Sequence, residues 1–353
     1  MPPHHPILSR RSLLGSALTL AAMEVFPGIT WAQARPLVFA TFTGSWEVAH
    51  QDVLVPAFRA ANPGAAMVLD PMLSVDQIAK VLAAQANPPI DVMLHDPGPA
   101  LVAIGQGLVE PYPVAQSAHY ADLIPAAQEP MGPAGFFQVV GLTYNPETVK
   151  TPPTSWADLW KPEFKGRVGI TNLNSTLGTG FMVEIAKMHG GSEKNIDPAF
   201  KQIAALKPNL AAVAANPGAL ATLFQQGQVD ISPGNFNAIQ ILKAQGVPVE
   251  FVAPKEGAIA FKTTFHITKN APNKELAFKL IEAAMSPEVQ AKLMEEPYLV
   301  VPTNKKVAMK GVIAKVLAKD QAAMMAGFVF QDWKTINEGR AAWIDRFNKE
   351  IAT

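Results

Sequence analysis

The sequence predicts an α/β protein of two lobes, each built on a mostly parallel sheet flanked by helices. Three observations carry this expectation. Short apolar runs alternate with amphipathic helical patterns, the order expected of βαβ units. The alternation runs through two successive series, the second beginning after "TPPTSWADLW". Two extended apolar stretches, "VVGLTYNP" and "AIAFKTTFHIT", stand where the chain would cross between the series. Neither is a Gly/Ser linker, so the crossings suit a strand hinge with a cleft between rigid bodies.

The first 34 residues read as an export signal outside the fold. "SRRSLL" carries the twin arginines Arg10 and Arg11, the apolar run Leu13 to Ala22 is too short to span a bilayer, and "WAQA" ends at Ala34. Cleavage is expected before Arg35. "PLVFATF" then reads as a strand whose loop "TGSWE" leads to the amphipathic "AHQDVLVPAFRAAN". Ser74 and Gln77 have the spacing of a capping box ahead of a helix through Ala86. "IDVMLHD" is a strand ended by Pro97-Gly98, and Pro99 suits the first turn of a helix that closes at Gly107. "GFFQVVGLTYNP" completes the first series.

In the second series "GRVGIT" is a strand and "FMVEIAKMHGG" a helix with Phe181, Ile185 and Met188 on one face. Asn216-Pro217 starts a helix running to Gly227. "VDISPGN", a helix from Phe236 to Gln245 and the strand "VPVEFVAP" follow. After "IAFKTTFHIT" come the helices "NKELAFKLIEAAM" and "PEVQAKLMEE", the latter capped by Ser286. In the tail, Trp333, Ile336, Trp343, Phe347 and Ile351 recur at helical spacing and read as a buried stripe. The expected lobes are residues 35–141 with about 265–304, and residues 142–264; residues 305–353 form C-terminal helices packed on them.

Composition narrows the function. Without Arg10, Arg11 and Glu24 the mature chain has 27 basic and 28 acidic residues, no footprint for nucleic acid or an anionic membrane. There is no cysteine, which excludes disulfides, thiol catalysis and Cys-ligated zinc. The histidines form no H-E-x-x-H segment, and no G-x-S-x-G elbow is present. Gly178-Thr179-Gly180 lacks the third glycine of a dinucleotide fingerprint and the lysine of a P-loop. An enzyme is therefore not expected, nor any metal or cofactor.

Three stretches resemble the extracellular solute-binding proteins of ATP-binding-cassette importers, in the polyamine/iron/thiamine-type branch. They are "GLTYNPETVKTPPTSWADLWKPEFKGRVGIT", "PKEGAIAFKTTFHITKNAPNKELAFKLIEAAMSPEVQAKLMEE" and, more loosely, "FATFTGSWE" with "DVMLHDPGPALVAIGQGLVEPY". The resemblance implies a type II periplasmic-binding-protein fold. It also implies a monomer in the periplasm that closes on a small solute and delivers it to an inner-membrane permease. An exported enzyme on the same fold is the alternative class.

Ligands of open α/β sheets bind beyond the carboxyl ends of strands. The candidate residues are Thr43, Gly44, Ser45 and Trp46 after the first strand, Asp96 after "DVMLH", Asn174, Ser175, Thr176 and Thr179 after "RVGIT", and Asn235 with Asn237 after "VDISPG". Tyr144, Phe261 and Thr263 lie on the two crossings. Ser175 or Thr176 reads equally as a helix cap, and Trp46 as packing. Polyamine binders of the resembled family carry a Trp and, two residues later, an Asp after the Glu-Gly turn; here those positions are Phe261 and Thr263, which disfavours a polyamine. None of the four tyrosines adjoins another, which disfavours iron. No arginine sits in a candidate loop. The expected ligand is a small carboxylate or phosphonate, or a zwitterion whose ammonium faces Asp96. A polyamine or thiamine is the alternative.

Overall fold

The computed structural model describes residues 35–351, so the export signal expected at residues 1–34 lies outside the described residues. The first series comprises β1 (Leu37–Thr41), α1 (Ser45–Ala49), which runs through a π-helical turn into α2 (Val55–Ala61), β2 (Met67–Pro71), α3 (Ser74–Leu82), β3 (Val92–His95) and α4 (Pro97–Gly105). The long strand β4 (Ala134–Tyr144) leads to β5 (Val168–Thr171), α5 (Thr176–Met188), α6 (Asp197–Leu206), β6 (Leu210–Ala214), α7 (Pro217–Gln225), β7 (Ile231–Asn235), α8 (Ile239–Ala244) and β8 (Glu250–Val252). The chain returns through β9 (Ile259–Ile267) to α9 (Lys274–Met285), α10 (Pro287–Met294), β10 (Val301–Pro302), α11 (Gly311–Val316), α12 (Gln321–Gly327) and α13 (Trp333–Glu350).

The strands form one sheet in the order β2-β1-β3-β9-β4-β7-β5-β6, with β8 and β10 also pairing with β4. Parallel groups lie at both ends, β2-β1-β3 and β7-β5-β6. The two crossings, β9 and β4, lie side by side and antiparallel between them. Every residue of β4 is buried, which explains why its sequence is a nearly continuous apolar run. This is the two-lobe type II arrangement, with the crossings at its centre.

Several local features differ from the sequence reading. Strands β2, β6 and β10 and helix α6 have no counterpart in it. Ser74 and Gln77 do not form a capping box: Ser74 is already helical, and the α3 N-cap position is Leu73 without a side-chain bond. Their polar atoms serve the neighbouring strand instead, Ser74 Oγ accepting from the Asp96 N–H at 3.3 Å and Gln77 Oε1 from the Leu94 N–H at 3.0 Å. Those buried donors lie at the end of β3, and unpaired they would cost more than an exposed helix start.

The C-terminal stripe is buried as expected. Trp333, Ile336, Phe347 and Ile351 join the core under α5 and α6, with Trp343 at its margin. Trp333 meets Phe261 edge-on at 5.7 Å between ring centroids.

Candidate functional site

The loops that leave β1, β3, β5, β6 and β7 converge on one cavity of about 70 Å³. Thr43, Gly44, Ser45 and Trp46 line it from the β1 loop, Asp96 from the β3 loop, Asn174, Ser175 and Thr176 from the β5 turn, and Asn235 from the end of β7. Gly218 near the start of α7 closes one side, opposite Gly44. Gly44 has φ +74°, a left-handed conformation that suits glycine and turns β1 into α1. Each water-sized group needs on the order of 10–15 Å³ by this measure, so the space suits a solute of few heavy atoms.

The cavity is polar in a defined way. The α5 N-terminus opens on it, and the N–H groups of Thr176, Leu177 and Gly178 have no partner among the described residues. Ser175 holds the N-cap position, but its side chain makes no capping hydrogen bond. Four further lining atoms are buried without a hydrogen bond: Trp46 Nε1, Thr143 Oγ1, Ser232 Oγ and Asn235 Oδ1. Buried polar atoms are ordinarily paired, so such a cluster in one cavity points to a polar ligand.

Asp96 is the sole ionisable residue of the lining. Burial pushes its carboxyl up to about 6, against the opposing pull of the Thr176 hydroxyl, the Arg340 charge and the Gln138 amide. Gln138 Nε2 donates to Asp96 Oδ1 at 2.5 Å and to Thr263 Oγ1 at 3.1 Å. A carboxyl poised there is largely ionised at neutral pH.

Five sequence candidates lie outside the lining. Asn237 donates to Ser45 Oγ at 3.0 Å and ties the two loops together. Thr179 donates to the Leu173 carbonyl at 2.8 Å, within its own turn. Thr263 supports Gln138, and Phe261 lies under Gly180, where an added Cβ would come within 2.6 Å of its ring. Tyr144 ends β4 opposite Ile231. Trp46 is only 2% exposed and packs on Phe136 and His50, with centroids 5.6 and 5.7 Å away, so it is both wall and core.

The sequence reading missed Gln138, Thr143 and Ser232, which project from strands, and Gly218. Their signal was a polar residue inside an otherwise apolar strand, as in "GFFQVVGLTY". It also missed Arg340, which reaches the β5 turn from α13. His50, His95 and His266 are buried, and burial lowers all three well below their usual range, so they are neutral interior groups. No cluster of three or more potential metal ligands occurs among the described residues.

A two-lobed α/β molecule enclosing a polar, solute-sized cavity between strand-end loops has the form of a solute-binding protein. The chain belongs to the family of bacterial extracellular solute-binding proteins, whose profile matches residues 87–326. It is 31% identical over 199 residues to the spermidine/putrescine-binding periplasmic protein of Salmonella typhimurium, covering 55% of this chain and 52% of the relative. The chain thus spans about half the length of that relative. It is 25% identical over 308 residues to the gamma-aminobutyric acid-binding protein of Pseudomonas aeruginosa, covering 83% and 82%. Its fold matches the periplasmic binding protein AfuA from Actinobacillus pleuropneumoniae with a TM-score of 0.74 at 23% identity, covering 90% and 98%.

Proposed function

We propose that this protein is the solute-binding component of an ATP-binding-cassette importer, acting in the periplasm as a monomer and handing a small solute to a membrane permease. The solute is a short zwitterion, an ω-amino acid or aminophosphonate, with its ammonium on Asp96 and its acidic group on the α5 N-terminus. One observation carries this reading: a single carboxylate and the unpartnered N–H groups of Thr176 and Leu177, in the first turn of α5, belong to the same small cavity. The helix N-terminus favours an anion, the buried carboxylate a cation. The relative that binds gamma-aminobutyric acid, aligned over most of both chains, supports the same class.

The polyamine reading draws on the spermidine/putrescine-binding relative. A diamine would leave one ammonium buried without a carboxylate, since Asp96 has no acidic neighbour in the lining. The relatives named above are binding proteins, which favours capture over catalysis.

A thermal-shift screen of the mature protein with 4-aminobutyrate, 2-aminoethylphosphonate and putrescine tests this. A zwitterion at 100 times its dissociation constant stabilises by about 2.7 kcal/mol, a readily visible shift. A shift with putrescine alone sinks the zwitterion assignment, and conversion of any probe into product sinks the transport role.

A further inference from the structure

Trp333, Asn337 and Arg340 stand at i, i+4 and i+7 on α13 and therefore share one face. The first two hold the start of α4. The Trp333 ring covers Gly98 so closely that an added Cβ there would lie 2.4 Å from it, and Asn337 Nδ2 donates to the Gly98 carbonyl at 2.8 Å. Asp96 is the N-cap residue of that same helix.

Arg340, less than a turn further along α13, holds the opposite wall. Its Nη2 donates to the carbonyls of Leu173 at 3.1 Å and Asn174 at 2.9 Å, and its Nε to Thr179 Oγ1 at 3.1 Å. The guanidinium is buried and makes no ion pair among the described residues. A charge in that position is expensive to keep unless its fixed donor fork is needed. Its three bonds fix the turn that presents the free N–H groups of α5. Asp96 is the acidic group whose charge it feels, and burial brings Arg340 itself down to about 10.

We propose that Arg340 is a positioning residue of the solute site. It locks the Leu173–Thr179 turn to α13, whose same face holds the helix begun by Asp96, so that α13 sets the spacing between the site's anionic and cationic ends. The positive charge of Arg340, felt at Asp96, also favours the ionised carboxylate there. The residue lies beyond the segment matched by the family profile, and no loop of the site contains it. The inference rests on the solute-site reading above, but part of its test needs no ligand.

The experiment follows the Asp96 carboxyl by ¹³C NMR titration in wild type, Arg340→Met, Arg340→Lys and Thr179→Val, and measures 4-aminobutyrate binding to each by calorimetry. Arg340→Met is expected to raise the Asp96 midpoint by about one unit, and Arg340→Lys, which retains charge but not the fork, by less. Binding is expected to weaken about tenfold or more in Arg340→Met and about threefold in Thr179→Val, which loosens the turn while leaving the charge in place. In an Asp96→Asn background the Arg340→Met effect should shrink to about threefold, because the charge part is then absent. An unchanged Asp96 midpoint in both Arg340 variants, or full additivity with Asp96→Asn, overturns the proposal. Wild-type protein that binds none of the probes overturns the solute reading instead, and the Asp96 titration still decides the role of Arg340.

Discussion

Gln138 donates one amide hydrogen to Asp96 Oδ1 and the other to Thr263 Oγ1, and so joins the cavity carboxylate to both crossing strands. Gln138 lies on β4 opposite Phe261, and Thr263 on β9 opposite Phe136, two positions apart along the central antiparallel pair. The cavity carboxylate is therefore braced from the two crossing strands as well as from its own loop. A hydrogen bond to an ionised group contributes about 1.5–3 kcal/mol.

Gln138→Leu should accordingly raise the Asp96 midpoint above about 6. It should also weaken zwitterion binding at pH 7 by about tenfold. Calorimetry at pH 7 and at pH 8.5 checks this. If the loss of affinity is the same at both pH values, Gln138 acts by shape alone and the electrostatic account fails.

The pH response of Asp96 itself has a definite sign. Its folded-state value of about 6 lies above the ordinary 3.8, so folding favours the protonated form. That contribution is fully present below about pH 3.8 and is lost as pH rises through 6, on the order of 3 kcal/mol in total. Asp96→Asn removes the penalty and should make the ligand-free protein more stable than wild type at pH 7.5, with the difference vanishing near pH 4. Urea unfolding of both proteins across that range tests it. The same substitution should cut zwitterion affinity at least tenfold, and wild-type affinity should fall as pH drops below 6. Equal stability at pH 7.5 would mean that Asp96 is better solvated than its burial implies.

Much of this architecture was legible from periodicity. The strand-end loops of β1, β3, β5 and β7 could be located because strands and helices alternate with clear turn residues between them, and of the eleven candidates that follow from that rule nine line the cavity. Strand β6, "LAAVA", was not legible, because alanine is a better helix former than strand former and the segment is half exposed. Ser74 and Gln77 misled, since the spacing that closes a capping box also places two polar side chains against the end of a neighbouring strand. Gln138, Thr143 and Ser232 were hidden because pairing brings distant strands together, and spacing along one strand does not say which face turns to a cavity. Arg340 was hidden for the same reason on a larger scale, separated from the Asn174 carbonyl by 166 positions.

Trp46 is a wall of the cavity, yet its ring is almost wholly enclosed by Phe42, Phe136 and His50. Trp46→Ala should therefore weaken binding and also destabilise the ligand-free protein, by about 3–5 kcal/mol. Trp46→Phe keeps most of the packing and removes only the unpartnered Nε1–H. It should leave the melting temperature within about 4 °C of wild type while reducing solute affinity about five- to tenfold. An unchanged affinity in Trp46→Phe would show that the indole N–H does not meet the solute.

Gly44 and Gly218 face one another across the cavity mouth at a distance that only glycines allow comfortably. A Cβ on Gly218 would stand 3.3 Å from Thr43 Oγ1 and 3.6 Å from the Gly44 nitrogen, while a Cβ on Gly44 would stand 3.3 Å from the Gly218 Cα. The loop after β1 and the start of α7 thus approach each other through two glycines. Gly218→Ala requires those neighbours to move by a few tenths of an ångström, whereas Gly218→Val adds atoms beyond any such adjustment. Neither change touches Asp96 or the α5 turn, but a Cβ on Gly218 would also stand 3.2 Å from Asn216 Oδ1, the α7 cap that accepts from the Ala219 N–H at 2.9 Å, so both changes press on that cap. The graded expectation is a small loss of affinity in Gly218→Ala and a loss of about a hundredfold in Gly218→Val, with the Asp96 midpoint unchanged in both. Small-angle scattering with and without 4-aminobutyrate separates closure from contact: wild type should contract on binding and Gly218→Val should not. A Gly218→Val protein that contracts and binds like wild type would mean that the two glycines approach without limiting closure.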